Sequence, residues 1–208
     1  METQTKITIG INLEDYIMLP QHDLYVAKQA SHHGNNWYQV HESLHKEKAR
    51  MLTIKEFVDF LELLRTGNIK NGLEQKLPEQ EIQEIYKKIT EKVSPYRAEW
   101  LDADFKVINN ELYINYSHRT INNQLKSQNS EKLENCIMKD CYVDLFSANK
   151  QGLPTKKSEK KDFYYWFPKR DNNSVARFGA GSVRADLICD WDPQDSGAGL
   201  GVRVAREK

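Results

Sequence analysis

The sequence lacks the features that mark several protein classes. Its mean hydropathy is −0.74, and none of its apolar runs approaches the roughly 18 residues that a membrane helix requires. Basic and acidic residues balance, with 30 of each, so the chain has no overall positive charge of the kind that nucleic-acid binding proteins use. We therefore expect a chain that neither inserts into a membrane nor binds nucleic acid.

Cysteine is also scarce, at Cys136, Cys141 and Cys189. The N-terminus has neither the basic start nor the apolar core of a signal peptide, so we expect no export and reduced thiols. A chain of 208 residues can bury enough surface to fold without disulfides or a structural metal ion. We expect residues 1–208 to form one domain.

Asparagine is absent from residues 174–208, although the preceding part of the chain contains four Asn-Asn pairs. The same segment holds five of the ten glycines, and its only lysine is Lys208. The composition of residues 174–208 therefore differs from that of the rest of the chain.

Two helices are predicted by apolar spacing and capping residues. Thr53 and Glu56 form a capping box, an apolar face follows, and Gly67 suits the left-handed position after the helix. Residues 78–93 have apolar side chains at helical spacing. Residues 40–50 also have helical features, but their pattern is ambiguous.

Strands are predicted from alternation with a period of two. Apart from residues 7–13, they lie in the second half of the chain, where Asn109-Asn110 suits a hairpin turn. The predicted strands are 7–13, 103–107, 112–116, 163–167, 175–180, 185–190 and 200–205. Residues 117–161 are polar and predict long loops with short elements. Together these features predict an α+β domain with two helices packed on an antiparallel sheet.

The strand at 185–190 has two different faces. Every second residue from Ala185 to Cys189 is small or apolar, and we expect these side chains to face the core. The residues between them, from Asp186 to Asp190, are expected to point outward.

The segment from His41 to His45 matches H-E-x-x-H, the pattern of zinc hydrolases in which two histidines bind the metal and the glutamate activates water. No third ligand follows at a typical spacing, and Lys46 to Lys48 suggest a solvated helix. We therefore expect no metal at this motif. No nucleophile triad, phosphate-binding loop or dinucleotide fingerprint occurs, so we predict no catalytic residue and no cofactor.

The motifs Ser174-Val-Ala-Arg-Phe178 and Leu200-Gly-Val-Arg203 resemble those of a known family. The similarity extends to residues 49–57, 99–105 and 164–168. Single matching positions lie between the two motifs, at Ala180, Ser182, Ala185, Leu187, Cys189 and Pro193. On these residues the chain resembles the variable proteins of diversity-generating retroelements, in particular those of archaea and archaeal viruses.

This resemblance implies a C-type lectin fold of the formylglycine-generating-enzyme-like subtype. In the family, a reverse transcriptase copies a template and scrambles its adenines. The copy then replaces the 3′ end of the gene, and the Asn codons of the template are the favoured targets of this mutagenesis. It further implies a non-enzymatic receptor or display protein, in the cytoplasm or on a virion, whose variable region is residues 174–208. Its partner would be a protein or other macromolecule.

The resemblance places variable, ligand-binding residues between the fixed ones. They are Gly179, Gly181, Val183, Asp186, Ile188, Asp190, Trp191, Asp192, Asp195, Gly197, Ala198 and Gly199. All except Trp191 are reachable from an Asn codon by adenine changes alone, and Trp191 requires another template codon, such as one for Arg. Arg184 suits a fixed role and a variable role equally.

The predicted binding residues are acidic and small. The aspartates at 186, 190, 192 and 195 favour a basic or hydrogen-bond-donating partner. Trp191 is the one large aromatic side chain among them, a type that often dominates binding energy. The glycines leave little side-chain surface for a ligand.

Two enzymatic alternatives remain. Formylglycine-generating enzymes share the implied architecture, but they need a reactive cysteine pair whose motif Cys136, Cys141 and Cys189 do not reproduce. The second alternative is a metal-dependent hydrolase built on the H-E-x-x-H motif.

Overall fold

The computed structural model describes residues 11–208. In this range the helices are α1 (Trp37–Lys46), α2 (Ile54–Thr66) and α3 (Glu79–Thr90). The strands are β1 (Tyr16–Leu19), β2 (Leu24–Ala27), β3 (Arg97–Ile108), β4 (Glu111–Tyr116), β5 (Arg119–Ile121), β6 (Gln124–Lys126), β7 (Asn129–Lys132), β8 (Cys141–Ala148), β9 (Pro154–Lys157), β10 (Phe163–Trp166), β11 (Ser174–Ala180), β12 (Ala185–Trp191), β13 (Leu200–Val202) and β14 (Ala205–Glu207). The fold class is therefore α+β, as predicted.

Most of the predicted strand at residues 7–13 cannot be compared with the structure, which places residues 11 and 12 in no strand. Residues 7–10 lie outside the described part of the chain, and Leu13 begins a short 3-10 helix. Residues 117–161, predicted as mainly loops, contain β5 to β9. The side chains of β5, β6 and β7 are mostly polar and exposed or partly buried, so no clear alternation marks these three strands in the sequence. In β8 the alternate residues Val143 and Leu145 are buried, and the sequence prediction missed this strand.

Capping explains the helix boundaries. In α2, Thr53 and Glu56 form the predicted reciprocal capping box, and Gly67 ends the helix at φ 69°. A second capping box, between Asn36 and Gln39, starts α1 at Trp37, before the ambiguous segment in the sequence. The described chain therefore has three α-helices instead of the two predicted, and α1 overlaps the segment 40–50 whose pattern was ambiguous.

The main sheet has nine strands in the order β7-β4-β3-β11-β12-β10-β8-β9, with β13 also paired to β3. Most pairs are antiparallel, but β10–β12 and β13–β3 are parallel. The sheet is therefore mixed, which corrects the antiparallel prediction. The β3–β4 hairpin turns at Asn109-Asn110 as predicted, with φ angles of 50° and 60°, which asparagine tolerates better than most residues.

Apolar clusters cover both faces of the central strands. On one face, Phe57 of α2 packs with Phe178 of β11 and Leu187 of β12. On the other face, Trp37 of α1 packs with Trp100 of β3. As a result, β3, β11 and β12 are buried on both faces for most of their length.

None of the helices α1, α2 and α3 is both long enough and apolar enough to cross a bilayer.

Candidate functional site

Two adjoining pockets, of about 470 and 230 Å³, lie beside the turn between β11 and β12. Tyr96, Arg184 and Asp186 line both of them. Six of the predicted binding residues line one or both pockets: Gly181, Val183, Asp186, Ile188, Asp190 and Trp191. We call these pockets, together with the adjoining loop at residues 192–199, the Tyr96 surface.

Strand register explains why these residues meet. In the β11–β12 pair, Gly179 lies opposite Asp186 and Arg177 lies opposite Ile188, so all four share one face. Tyr96 precedes β3, the other neighbour of β11. The fold therefore brings this part of β3 beside a segment about 80 positions later in the sequence.

The outward orientation predicted for Asp186 and Ile188 needs correction. Both lie opposite the core face that contains Leu187, but they are only 6% and 5% exposed. Tyr96 and Trp166 line the pocket around them. Period-two alternation predicts opposite faces, and it cannot predict that both faces are covered.

Arg177 organises the second pocket. Its guanidinium lies 3.3 Å from the ring centroid of Trp191 and 5.2 Å from that of Tyr96, within the range of cation–π attraction. Trp191 Nε1 donates to Asp195 Oδ2 over 2.7 Å, and Arg177 Nη1 lies 3.5 Å from the same oxygen. Trp191 is therefore already engaged by Arg177 and Asp195 within the molecule.

The acidic side chains of the Tyr96 surface are largely balanced by neighbours. Arg184 Nε lies 2.8 Å from Asp186 Oδ1, and Lys169 Nζ lies 3.3 Å from Asp190 Oδ2. Asp195 is near Arg177 as described above, whereas Asp192 is exposed. Local neutralisation removes the main argument for a basic partner.

The predicted variable glycines differ in their surroundings. None of Gly179, Gly181, Gly197 and Gly199 has a φ in the left-handed region. A Cβ at Gly179 or Gly181 would contact the Tyr96 side chain, and at Gly197 its nearest neighbour would be 3.8 Å away. A Cβ at Gly199 would lie 2.5 Å from the Tyr96 carbonyl oxygen. Position 197 therefore has room for a side chain, positions 179 and 181 accept one if Tyr96 can move, and position 199 requires a backbone shift.

The loop at residues 192–199, which includes Ala198, is held by backbone hydrogen bonds together with side-chain bonds of Asp192 and Asp195. The Trp37 N–H donates to the Pro193 carbonyl over 3.0 Å, and the Ala98 N–H donates to the Gly199 carbonyl over 2.9 Å. A further bond joins the Leu200 N–H to the Gly197 carbonyl over 2.9 Å. These backbone bonds do not require particular side chains in the loop.

Asp186 gives this surface a pH-dependent contribution to stability. Burial raises the pKa of its carboxyl group, and the nearby Arg184 guanidinium lowers it by less. The proton is thus bound more tightly in the folded chain, so the ionised carboxylate destabilises the fold above its folded pKa. We expect Asp186→Asn to raise the free energy of unfolding at pH 7, with the gain disappearing below about pH 4.

Urea unfolding between pH 3 and pH 8 measures this difference. Asp192→Asn is the matched control, since Asp192 is exposed and an asparagine can still accept the Gln194 N–H that Asp192 accepts. A lower stability of Asp186→Asn at pH 7 would mean that the ion pair with Arg184 outweighs the cost of burial.

The H-E-x-x-H motif does not assemble as a zinc-hydrolase site. His41 is buried, whereas Glu42 and His45 are exposed. Glu42 pairs with Lys46 over 2.7 Å. Among residues 11–208, the group of side chains close enough to share a metal ion contains His41 but neither Glu42 nor His45.

Sequence patterns missed Tyr96 and Trp166 as parts of the Tyr96 surface, and placed Arg177 only in a fixed motif. A buried arginine between two aromatic rings has no local sequence signature, because each partner comes from a different strand or loop. The chain matches no protein-family model, no curated protein and no solved structure.

Proposed function

We propose that the chain is a non-enzymatic ligand-binding protein of the diversity-generating retroelement type, with the Tyr96 surface as its binding face. The observation that carries the proposal is the spatial clustering of predicted variable residues. Those of β12 and the preceding turn line two adjoining pockets, and the others lie in the adjacent loop or, for Gly179, beneath Tyr96. The fixed residues between them, such as Leu187 and Cys189, belong to the core.

We further propose that the chain adopts the formylglycine-generating-enzyme-like subtype of the C-type lectin fold. The mixed sheet with α2 and α3 on one face and α1 on the other is compatible with it. A large sheet that is covered on both faces also suits the proposed function. The buried strands stabilise the fold, so that its stability depends little on the residues at one end of β11 and β12.

Backbone geometry supports tolerance to sequence change. The loop at residues 192–199 is anchored by backbone hydrogen bonds, and the turn between β11 and β12 is closed by the Gly181 N–H bonding to the Arg184 carbonyl over 3.1 Å. Val183, at the tip of that turn, is 77% exposed. Changes at such positions alter the surface with little effect on packing.

The properties of the thiols favour binding over a cysteine-based reaction. Burial raises the pKa of Cys136 to about 11 and that of Cys189 well above its usual value. Both are therefore protonated thiols at neutral pH, and a thiol is a much weaker nucleophile than a thiolate. This disfavours the alternative of a formylglycine-generating enzyme.

A combined substitution tests tolerance directly. Replacing Val183, Asp192, Gly197 and Ala198 together by Asn is expected to change the free energy of unfolding by no more than about 0.5 kcal/mol per site. All four are exposed. Urea unfolding of the variant and of the parent chain measures the difference.

Gly201→Ala is the control for this test, because Gly201 belongs to a fixed motif. Its added Cβ would lie 2.8 Å from the Ser31 carbonyl oxygen, and we expect a loss of about 1–3 kcal/mol. If the four-site variant lost more than about 2 kcal/mol, the sum of the four single-site limits, residues 183–198 would be structural and the proposed binding face would be wrong.

The gene itself tests the mechanism of diversification. We expect a near-copy of the 3′ end of the gene nearby, with adenines at the codons of the predicted variable residues, beside a reverse transcriptase gene. A genomic neighbourhood without that copy would refute diversification, and binding by the Tyr96 surface would then need separate support.

A further inference from the structure

A buried polar cluster lies away from the Tyr96 surface, between α1 and the segment that joins β4 to β5. It consists of His41 on α1, Asp102 on β3 and His118 after β4, with exposures of 5%, 0% and 8%. One ligand atom from each side chain lies within 4.8 Å of the other two. Such complete burial of ionisable groups needs a physical explanation.

His118 is held by two carboxylates. Its Nδ1 lies 2.5 Å from Asp102 Oδ1, and its backbone N–H donates to Asp102 Oδ2 over 2.9 Å. Its Nε2 lies 3.2 Å from Asp104 Oδ1, and Asp104 in turn pairs with Lys106 over 3.1 Å. The two carboxylates raise the pKa of His118 to about 9 despite its burial.

His41 completes the cluster but is not satisfied by it. Its Nε2 is buried and has no hydrogen-bond partner in the described chain. The nearest carboxylate oxygen, Asp102 Oδ1, is 3.7 Å away, too far for a hydrogen bond. Burial lowers the pKa of His41 to about 4, so this imidazole is neutral at pH 7. A buried ring nitrogen without a partner needs an explanation, and an absent ion is one such explanation.

We propose that His41, Asp102 and His118 bind a divalent transition-metal ion, for which Zn²⁺ is the best match. Two imidazole nitrogens and one carboxylate oxygen form a donor set typical of Zn²⁺ sites that keep an open position. His41 Nε2, Asp102 Oδ1 and His118 Nδ1 supply the ligand atoms. The ion takes the place of the proton between His118 and Asp102, and that proton is released to solvent.

The surroundings of the cluster fit a metal site. Asp104 accepts the remaining Nε2–H of His118, an arrangement that commonly orients metal-bound histidines. The Trp37 ring packs edge-on against both imidazoles, with centroid distances of 4.2 Å to His41 and 5.0 Å to His118. The two histidine rings are therefore held in place by packing as well as by hydrogen bonds.

A pocket reaches the two histidines of the cluster, although the ligand atoms themselves are buried. This pocket of about 500 Å³ between α1 and the β5–β6 hairpin is lined by His41 and His118, so an ion and its remaining ligand can approach the cluster from solvent. Lys48 and Arg119 also line this pocket and favour water, hydroxide or a small anion as that remaining ligand. This proposal does not depend on the ligand-binding role of the Tyr96 surface.

Zinc titration of the chelator-treated full chain tests the site. We expect one equivalent of Zn²⁺ to bind and to raise the melting temperature. His41→Gln should weaken binding by more than about 100-fold, and Asp104→Asn by about 10–100-fold, the usual effect of losing a carboxylate that orients a ligand. His45→Gln, which changes the exposed histidine one helical turn from His41, should leave the affinity unchanged within about twofold.

A converse variant keeps the test decisive if His41→Gln fails to fold. It retains His41 and His118 and replaces the other four of the six histidines. The replaced residues are His22, His32, His33 and His45. This variant should still bind one equivalent of Zn²⁺ with the affinity of the parent chain. Loss of binding in this variant, or no stoichiometric binding by the parent chain, would overturn the proposal.

Discussion

Glu99→Gln is expected to lower the free energy of unfolding by about 3–5 kcal/mol, because it leaves a buried guanidinium without its counter-charge. Arg203 is 4% exposed, and its Nε and Nη2 donate to the two Glu99 carboxylate oxygens over 3.0 and 2.5 Å. A third bond runs from Arg203 Nη1 to the Ala27 carbonyl over 2.8 Å. Urea unfolding with an unchanged m-value measures the loss.

A surface ion pair provides the control. Glu111→Gln removes the partner of Lys132, which lies 3.2 Å away with both side chains about half exposed, and should change stability by less than about 1 kcal/mol. Replacing Glu99 and Arg203 together by apolar residues should recover much of the loss, since neither buried charge then remains. A loss below about 1 kcal/mol for Glu99→Gln would mean that water reaches Arg203.

Phe178→Ala is expected to cost about 3–5 kcal/mol, the usual range for removing a buried aromatic ring. Phe178 is 1% exposed, and its ring centroid lies 5.1 Å from that of Phe57 and 6.1 Å from that of Phe163. The substitution opens a cavity between β11 and α2 that these neighbours cannot fill. Thermal and urea unfolding of the variant and of the parent chain measure the loss of stability.

Val183→Ala is the comparison for Phe178→Ala. Both residues lie in the segment that resembles the retroelement family, but Val183 is 77% exposed and its truncation should change stability by less than about 0.5 kcal/mol. Equal losses from the two substitutions would contradict the separation of fixed core residues from variable surface residues.

Local sequence was sufficient for the elements whose stability is local. The capping box of α2 and the Asn109-Asn110 turn were predicted because each depends on residues within a few positions. The core-facing set on β12 was also predicted, since Leu187 and Cys189 occupy alternate positions along the strand. The pairing of strands that are distant in the sequence, such as β13 beside β3, was not predicted.

The residues of the two candidate sites also come from segments that are distant in the sequence, and sequence patterns identified only some of them. Retroelement resemblance led to residues on β11, β12 and the following loop, but not to Tyr96, which fills the space that Gly179 and Gly181 leave open. The H-E-x-x-H pattern drew attention to His41 with the wrong partners. Asp102 and His118 are 61 and 77 positions away in the sequence, and no spacing rule connects them.

By itself, the sequence determined an α+β chain with one helix defined by a capping box, a second helix defined by apolar spacing, and a compositionally distinct segment at residues 174–208. Only the tertiary structure decided that the central strands are covered on both faces, that Arg177 engages Trp191, and that His41 meets Asp102. Alternation and capping act over a few residues and can be read along the chain. Burial and side-chain partnership depend on which distant segments pack together, so they are set by the fold as a whole.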